Sequence, residues 1–172
     1  MIKQVIVMRT DLNMRKGKMI AQGAHASMKV FFDRMSKGKH PLISPFSQKI
    51  LYPYTILMNE ESSEWVEGLF TKIVVGCNSL EELLEIQDKA KVHEIPYAVI
   101  EDSGKTEFKQ ECKDCNGTGI FFDPITQTHM ENMKCNKCNG TGKVNKPTIT
   151  CIALGPDHAE KIDKITGELE LL

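Results

Sequence analysis

Residues 112 to 119 read C-K-D-C-N-G-T-G, and residues 135 to 142 read C-N-K-C-N-G-T-G. In each copy two cysteines sit two residues apart, so one tight turn can aim both thiolates at a single centre. The glycines behind them allow backbone N–H groups to turn toward the sulfurs. Cys112, Cys115, Cys135 and Cys138 therefore supply four soft ligands, the set of a closed, structural tetrahedral zinc site. The alternatives are a pair of disulfides or a redox Cys-x-x-Cys. A redox motif needs no duplicate and usually opens a helix, whereas glycines follow here. No apolar leader precedes Lys3, and no apolar run is long enough to cross a membrane. The expected setting is then a reducing cytosol, where metal is favoured over disulfide. Cys77 and Cys151 lie in apolar, strand-like runs and are expected to pack as small inert hydrophobes.

A second constellation lies near the start of the chain. Lys18, Gln22, His25 and Lys29 are spaced by four, three and four residues, which places them within a stripe of roughly 60° on a helix. Ile20, Ala24, Phe31 and Met35 fall on a different side of the cylinder. Small residues Gly23, Ala24, Ala26 and Ser27 interleave the stripe and suggest close packing, so His25 is expected to be a hydrogen-bonded core residue rather than a base.

Charge is unevenly spread. The net charge is -1, yet residues 1 to 50 hold ten Lys or Arg against only Asp11 and Asp33. The remainder carries twelve positive and twenty-one negative side chains. The resulting field has a positive side that suits a polyanion such as RNA better than a small neutral metabolite, although a solvated basic surface gives the same count.

Elements that could position these groups follow from patterning. Ile2 to Met8 reads as a buried first strand, and Lys18 to Ser36 as a long helix ended by Gly38. Residues 37 to 57, with Pro41, Pro45 and Pro53, look irregular. Glu60 to Phe70 reads as a helix, Thr71 to Cys77 as a strand, and Ser79 with Glu82 as a capping box before another helix. Tyr97 to Ile100 and Thr148 to Leu154 are further strands. Gly155-Pro156 should break the last one, with Asp157 capping a helix through Ile165. Strands alternating with helices predict an α/β layer fold with a mixed sheet. A strand-to-strand connection is usually a few residues long. Residues 109 to 146 therefore read as an inserted zinc ribbon within a domain formed by residues 1 to 108 and 147 to 172.

Four blocks now carry a resemblance. R-T-D-L-N-M-R-K-G-K-M-I-A-Q-G-A-H-A, E-D-S-G-K-T-E, T-C-I-A-L-G-P and I-D-K-I-T-G-E-L-E-L-L resemble, in order, the archaeal and eukaryotic type of peptidyl-tRNA hydrolase. The resemblance implies a three-layer sandwich, with a mixed four-stranded sheet and helices on both faces. It also implies a homodimer, no catalytic cofactor, and release of tRNA from peptides dropped by stalled ribosomes in the cytoplasm. Its K-G-K-x-x-A-Q helix start falls on Lys18 and Gln22, its D-A-G-R-T turn on Asp102 and Thr106, and its T-x-T strand start on Thr148 and Thr150. The implied catalytic set is Lys18, Gln22, Asp102, Thr106 and Thr150. Arg15 replaces the usual glycine, Gly23 a cysteine, Ser103 an alanine and Lys105 an arginine. Lys105 keeps charge but loses the planar fork that grips phosphate in two places. The cysteine repeats are no usual part of that family. They resemble the zinc region of DnaJ chaperones, with two copies where that region has four.

The chemistry matches these residue types. An ester between a peptide carboxyl and a ribose hydroxyl needs an activated water and a held oxyanion. Asp102, after apolar Val99 and Ile100, could orient or deprotonate the water with Thr106. Asp-Ser-Gly is also good turn chemistry by itself. Lys18 at a helix start could hold phosphate or the developing charge. Arg9, Arg15, Lys16, Lys29 and Lys105 are candidates for tRNA phosphates. The rival expectation is a non-catalytic RNA- or protein-binding adaptor acting through its zinc module. Retention of Asp102, Thr106 and Lys18 together argues for the enzyme.

Overall fold

The computed structural model describes residues 1–172, the side chains of residues 131 and 132 excepted. The chain divides into two compact units, 1–100 with 150–172, and 101–149.

The β-branched run at the start forms β1 (Ile2–Arg9), and all of it except Arg9 is buried. Burial on both sides is possible because helices cover both faces. Alternate residues take opposite faces of a strand. Ile6 and Met8 face Gly23 of α1 (Lys16–Phe32), with atoms 3.9 and 3.8 Å from where a Cβ on that glycine would stand. On the same face Ser27 Oγ donates to Gln4 Oε1 over 2.6 Å, and Gln4 Nε2 donates to the carbonyls of Ser27 and Gly155. This buried amide is thus satisfied.

The small residues of α1 pack closely, as their spacing suggests, whereas its larger apolar row stays at the surface. Its buried residues are Gln22, Ala26, Ser27 and Val30, while Ile20 is 74% exposed and Met28 51%. Small residues let the helix sit close to the sheet. The larger apolar side chains are left to line an open groove of about 610 Å³ with Met8, Phe70, Val74 and Leu172.

After α1 come two short ladders. Strand β2 (Ser36–Lys37) pairs with β5 (Tyr54–Thr55), and between them β3 (Leu42–Ile43) pairs with β4 (Ile50–Leu51). The stretch expected to be irregular is therefore a β arm. Its prolines fall outside the paired residues, where a missing N–H costs nothing. Helix α2 (Glu60–Glu67) is capped by Asn59, whose side chain accepts from Ser62 N. It buries Trp65, which stacks on Phe31 at 5.7 Å and donates from Nε1 to Thr71 O.

Strand β6 (Lys72–Cys77) runs parallel to β1, from Gln4 opposite Lys72 to Arg9 opposite Cys77. Ser79 caps α3 (Leu80–Val92) by accepting from Glu82 N at 3.0 Å, and Glu82 reaches back to Asn78 N. Strand β7 (Tyr97–Asp102) follows.

In the second unit, β8 (Lys109–Glu111) leads to a 3₁₀ turn at Lys113–Cys115, then β9 (Ile120–Asp123), β10 (Thr128–Lys134) and β11 (Lys143–Asn145). Strands β9 and β10 form one antiparallel pair, and β8 and β11 another. Strand β12 (Thr148–His158) runs antiparallel to β1, and the four-stranded sheet has the order β6-β1-β12-β7. One parallel and one antiparallel neighbour of β1 make the sheet mixed.

Gly155-Pro156 does not break β12, contrary to expectation. A shift of pairing register between Lys3 and Val5 carries the strand on to His158. His158, rather than Asp157, stands at the N-cap of α4 (Ala159–Thr166). Lys3 leaves the opposite face of β1 from Gln4 and donates to Asp163 of α4 at 2.5 Å, and α4 also packs on α3. Helices therefore lie on both faces. The C-terminal residues return to the outer edge of β6, where Leu172 N donates to Val74 O and Gly76 N to Glu170 O.

Candidate functional site

Helix α1 begins without a side-chain cap and with no acidic residue in its first turn. Arg15, Lys16 and Lys18 instead stand at its positive dipole end. The positive end of a helix and its first-turn N–H groups favour an approaching anion, and added cations act in the same sense. This helix start is suited to bind an anion. Lys18 is half-buried, while Arg15 and Lys16 are exposed.

One turn further along, Gln22 is buried against β12. Thr150 Oγ1 donates to Gln22 Oε1 at 2.8 Å, with the Ile100 carbonyl at 3.3 Å as a second acceptor. Cys151 Sγ lies 3.4 Å from the Gln22 carbonyl oxygen, which fastens the helix backbone to the same strand. Cys151 therefore does more than the inert packing expected of it, and no local pattern announces a buried thiol's partner. Burial pushes its thiol up to about 12.

His25 is corrected: it is exposed, not a core residue. The four-residue stripe is consequently split, with Gln22 turned inward and His25 outward.

In the second unit, Asp102 closes β7 and begins the expected turn. Gly104 N donates to Asp102 Oδ1 at 2.9 Å, and Gly104 has φ +70°. A Cβ at Gly104 would stand 2.6 Å from the backbone N and O of Lys146, so only glycine allows this approach. Asp102 is half-buried, whereas Thr106 and Lys105 are exposed. Thr148 Oγ1 donates to Lys146 O at 3.0 Å.

Two of the proposed phosphate contacts already have carboxylate partners. Arg9 donates from Nε and Nη2 to Asp11 at 3.1 and 2.6 Å, and Lys29 to Asp33 at 2.6 and 2.7 Å. Either would have to exchange that partner for a phosphate. The Lys29 pair is exposed, so exchange there costs about 1 kcal/mol or less.

The cysteines form a separate centre. Sγ atoms of Cys112, Cys115, Cys135 and Cys138 lie within 4.8 Å of one another, and all four residues are buried. The two knuckles repeat each other's hydrogen bonds. Gly119 N donates to Cys115 Sγ and Gly142 N to Cys138 Sγ, both at 3.3 Å. Each knuckle also holds the other, with Cys112 N donating to Gly142 O and Cys135 N to Gly119 O. Gly119 and Gly142 have φ +78° and +70°, and a Cβ on either would stand within 2.4 Å of the opposite knuckle's backbone. The repeated glycines are thus required by close approach as well as by left-handed backbone. Burial pushes the Cys112 thiol up to about 12. At Cys138 burial acts the same way, but the Gly142 N–H and neighbouring thiols outweigh it and bring the group down to about 7. Four converging sulfurs fit a thiophilic metal with tetrahedral preference. Among the described residues no helix is long and apolar enough to cross a membrane.

A mixed four-stranded sheet with helices on both faces defines an α/β protein, and the second unit carries a four-thiol centre. The family model described as peptidyl-tRNA hydrolase PTH2 matches residues 2–135 and 125–172. A peptidyl-tRNA hydrolase of Methanocaldococcus jannaschii is 32% identical over 171 residues, 99% of this chain and 100% of that protein. Those of Sulfurisphaera tokodaii (33% over 170 residues, 99% and 98%) and Saccharolobus islandicus (30% over 172 residues, all of both chains) are similar over the same length. The chain belongs to the peptidyl-tRNA hydrolase PTH2 family and is an enzyme of that type.

Proposed function

We propose that this chain hydrolyses the ester of peptidyl-tRNA, with Asp102 and Thr106 orienting water and Lys18 stabilising charge. The observation that carries the reading is the cationic, acid-free start of α1 in a chain of this family. Water attacks the ester carbonyl carbon while its proton passes to the Asp102 carboxylate. The tetrahedral oxyanion, or the adjacent phosphate, is met by Lys18 and the helix N-terminal N–H groups. Collapse breaks the bond to the ribose oxygen, which leaves as a hydroxyl after taking the proton back. Gln22 and Thr150 are buried and act as positioning residues that hold the first turns of α1 against β12. Arg15, Lys16 and Lys105 are the exposed phosphate contacts.

The four cysteines hold one structural zinc ion within an inserted module of residues 109 to 146. The ion supplies no step of the hydrolysis and serves to close the fold of that module. The enzyme works in the cytoplasm as a homodimer, releasing tRNA from peptides dropped by stalled ribosomes. Incubation of the purified protein with labelled peptidyl-tRNA tests the central claim. Free tRNA and peptide are expected, and an intact ester after prolonged incubation would remove it.

A further inference from the structure

The β arm of residues 36 to 58 is unlike the rest of the surface. Only Ser44 within it is buried, and Phe46 at its tip is 98% exposed. From Arg34 to Asn59 the chain carries Arg34, Lys37, Lys39 and Lys49, and no acidic residue at all. Phe46, Tyr52 and Tyr54 lie in the same stretch as these charges. Lys37 is the register partner of Tyr54, and its Nζ stands 4.1 Å over the ring of Tyr52. Tyr52 and Tyr54 are both more than half exposed.

An arm this short has little hydrophobic core, yet its geometry is held at both ladders. Gly38 N donates to Pro53 O, and Ser44 N to Lys49 O. Gln48 N and Ser47 N turn back onto Ser44 O and Ser44 Oγ at the tip. The result is an ordered display of rings and ammonium groups that the domain itself does not use. Two-stranded ribbons are marginally stable in water by themselves, so exposed rings of this number imply a surface that covers them.

We propose that this arm grips the unpaired 3′ end of the tRNA, stacking its bases on Phe46, Tyr52 and Tyr54 while Lys37, Lys39 and Lys49 meet the phosphates. Unpaired bases offer π-faces that stack on exposed aromatic side chains without sequence preference, and a neighbouring cation strengthens the contact. A stretch with four cations and no acid is complemented by a polyanion. Acid-free charge alone would suit an anionic membrane equally well. The exposed rings, carried on an enzyme whose family acts on a tRNA ester, favour the nucleic acid. This inference rests on the reading that peptidyl-tRNA is the substrate. The arm follows the C-terminal end of α1, about 21 Å along the helix from Lys18, so the bases it stacks are those behind the ester-bearing terminal nucleotide. It therefore contributes binding rather than chemistry.

The test compares the full-length parent with Phe46→Ser/Tyr54→Ser, Lys39→Gln/Lys49→Gln and Phe46→Trp. The probes are deacylated tRNA with its 3′ overhang, the same tRNA trimmed to the paired acceptor end, and anionic vesicles. The parent should bind the intact tRNA more tightly than the trimmed one. The ring variant should lose that preference, with Kd and KM raised about tenfold and kcat nearly unchanged. The lysine variant should lower the salt slope by about 1.4 to 1.8. Phe46→Trp should retain parental affinity, because stacking survives. All four proteins should show the same Tm, since the altered side chains are exposed. Equal binding of both tRNAs by parent and ring variant would overturn the proposal. So would arm-dependent vesicle binding, or a change of oligomeric state, with tRNA affinity unaltered. If the parent itself fails to cleave peptidyl-tRNA, the underlying reading falls; if it cleaves while the ring variant binds as the parent does, only the arm's role falls.

Discussion

Thr150 Oγ1 donates to Gln22 Oε1 across 2.8 Å, with both side chains buried, and so ties β12 to the second turn of the helix that begins with the cationic cluster. Thr150→Val keeps shape and removes the donor. A buried acceptor left short of a hydrogen bond costs about 1–3 kcal/mol, which for a chain of this size lowers Tm by about 2–4 °C per kcal/mol. Turnover should fall with it, because Lys18 is carried by the same helix. Unchanged Tm and kcat in Thr150→Val would show that the bond positions nothing.

Asp102→Asn tests the proposed base. Asparagine keeps an oxygen that can accept from Gly104 N, so the turn should survive. Loss of a general base should lower kcat by about a hundredfold or more. Circular dichroism identical to the parent, together with parental turnover, would mean that another group activates the water.

Metal content is predicted at close to one zinc per chain, measured by elemental analysis of freshly reduced protein. Thiolate ligands must be protonated to leave, so mild acid or a chelator should release the ion. Hydrogen exchange should then rise across residues 101–149 before it rises in the other compact unit. Reduced protein containing no metal would exclude the zinc assignment.

Alkaline stability should report the two isolated thiols. Burial is the main cause that raises Cys77 to about 11 and Cys151 to about 12, from an ordinary 9.0. Above pH 9.0 the unfolded chain loses these protons first, while the folded chain retains them. The contribution to stability is therefore whole below about 9 and is lost between about 9 and about 12. Between about pH 9 and about pH 11, Tm should decline more steeply in the parent than in Cys77→Ala/Cys151→Ala. Parallel declines would place the alkaline sensitivity elsewhere.

Replacing residues 110 to 145 by a short glycine-containing turn should leave a folded hydrolase, because the paired stem of β8 and β11 already brings Lys109 opposite Asn145. If the lysines of the insertion touch tRNA, affinity falls and the salt dependence becomes shallower. Reduced stability with unaltered affinity and salt slope would assign the insertion to stiffening or to another partner.

Local rules made much of this protein legible in its amino-acid order. The duplicated Cys-x-x-Cys-Asn-Gly-Thr-Gly identified the four-thiol centre because spacing and glycine content act within a few residues. The Ser79 cap and the Asp102 turn were equally local, and their hydrogen bonds are present. The strand core of β1 followed from its β-branched run.

Tertiary packing decided what periodicity could not. Helix α1 buries small residues and Gln22, because close approach to the sheet favoured Gly23, Ala26 and Ser27 over the larger Ile20 and Met28. His25 was thereby turned out to solvent. β12 passed through Gly155-Pro156 because pairing with β1 absorbed the irregularity in a register shift. Residues 36 to 58 became a paired arm through cross-strand bonds between positions up to nineteen residues apart. Such bonds depend on which segments meet, and composition read along one segment carries no trace of its partner.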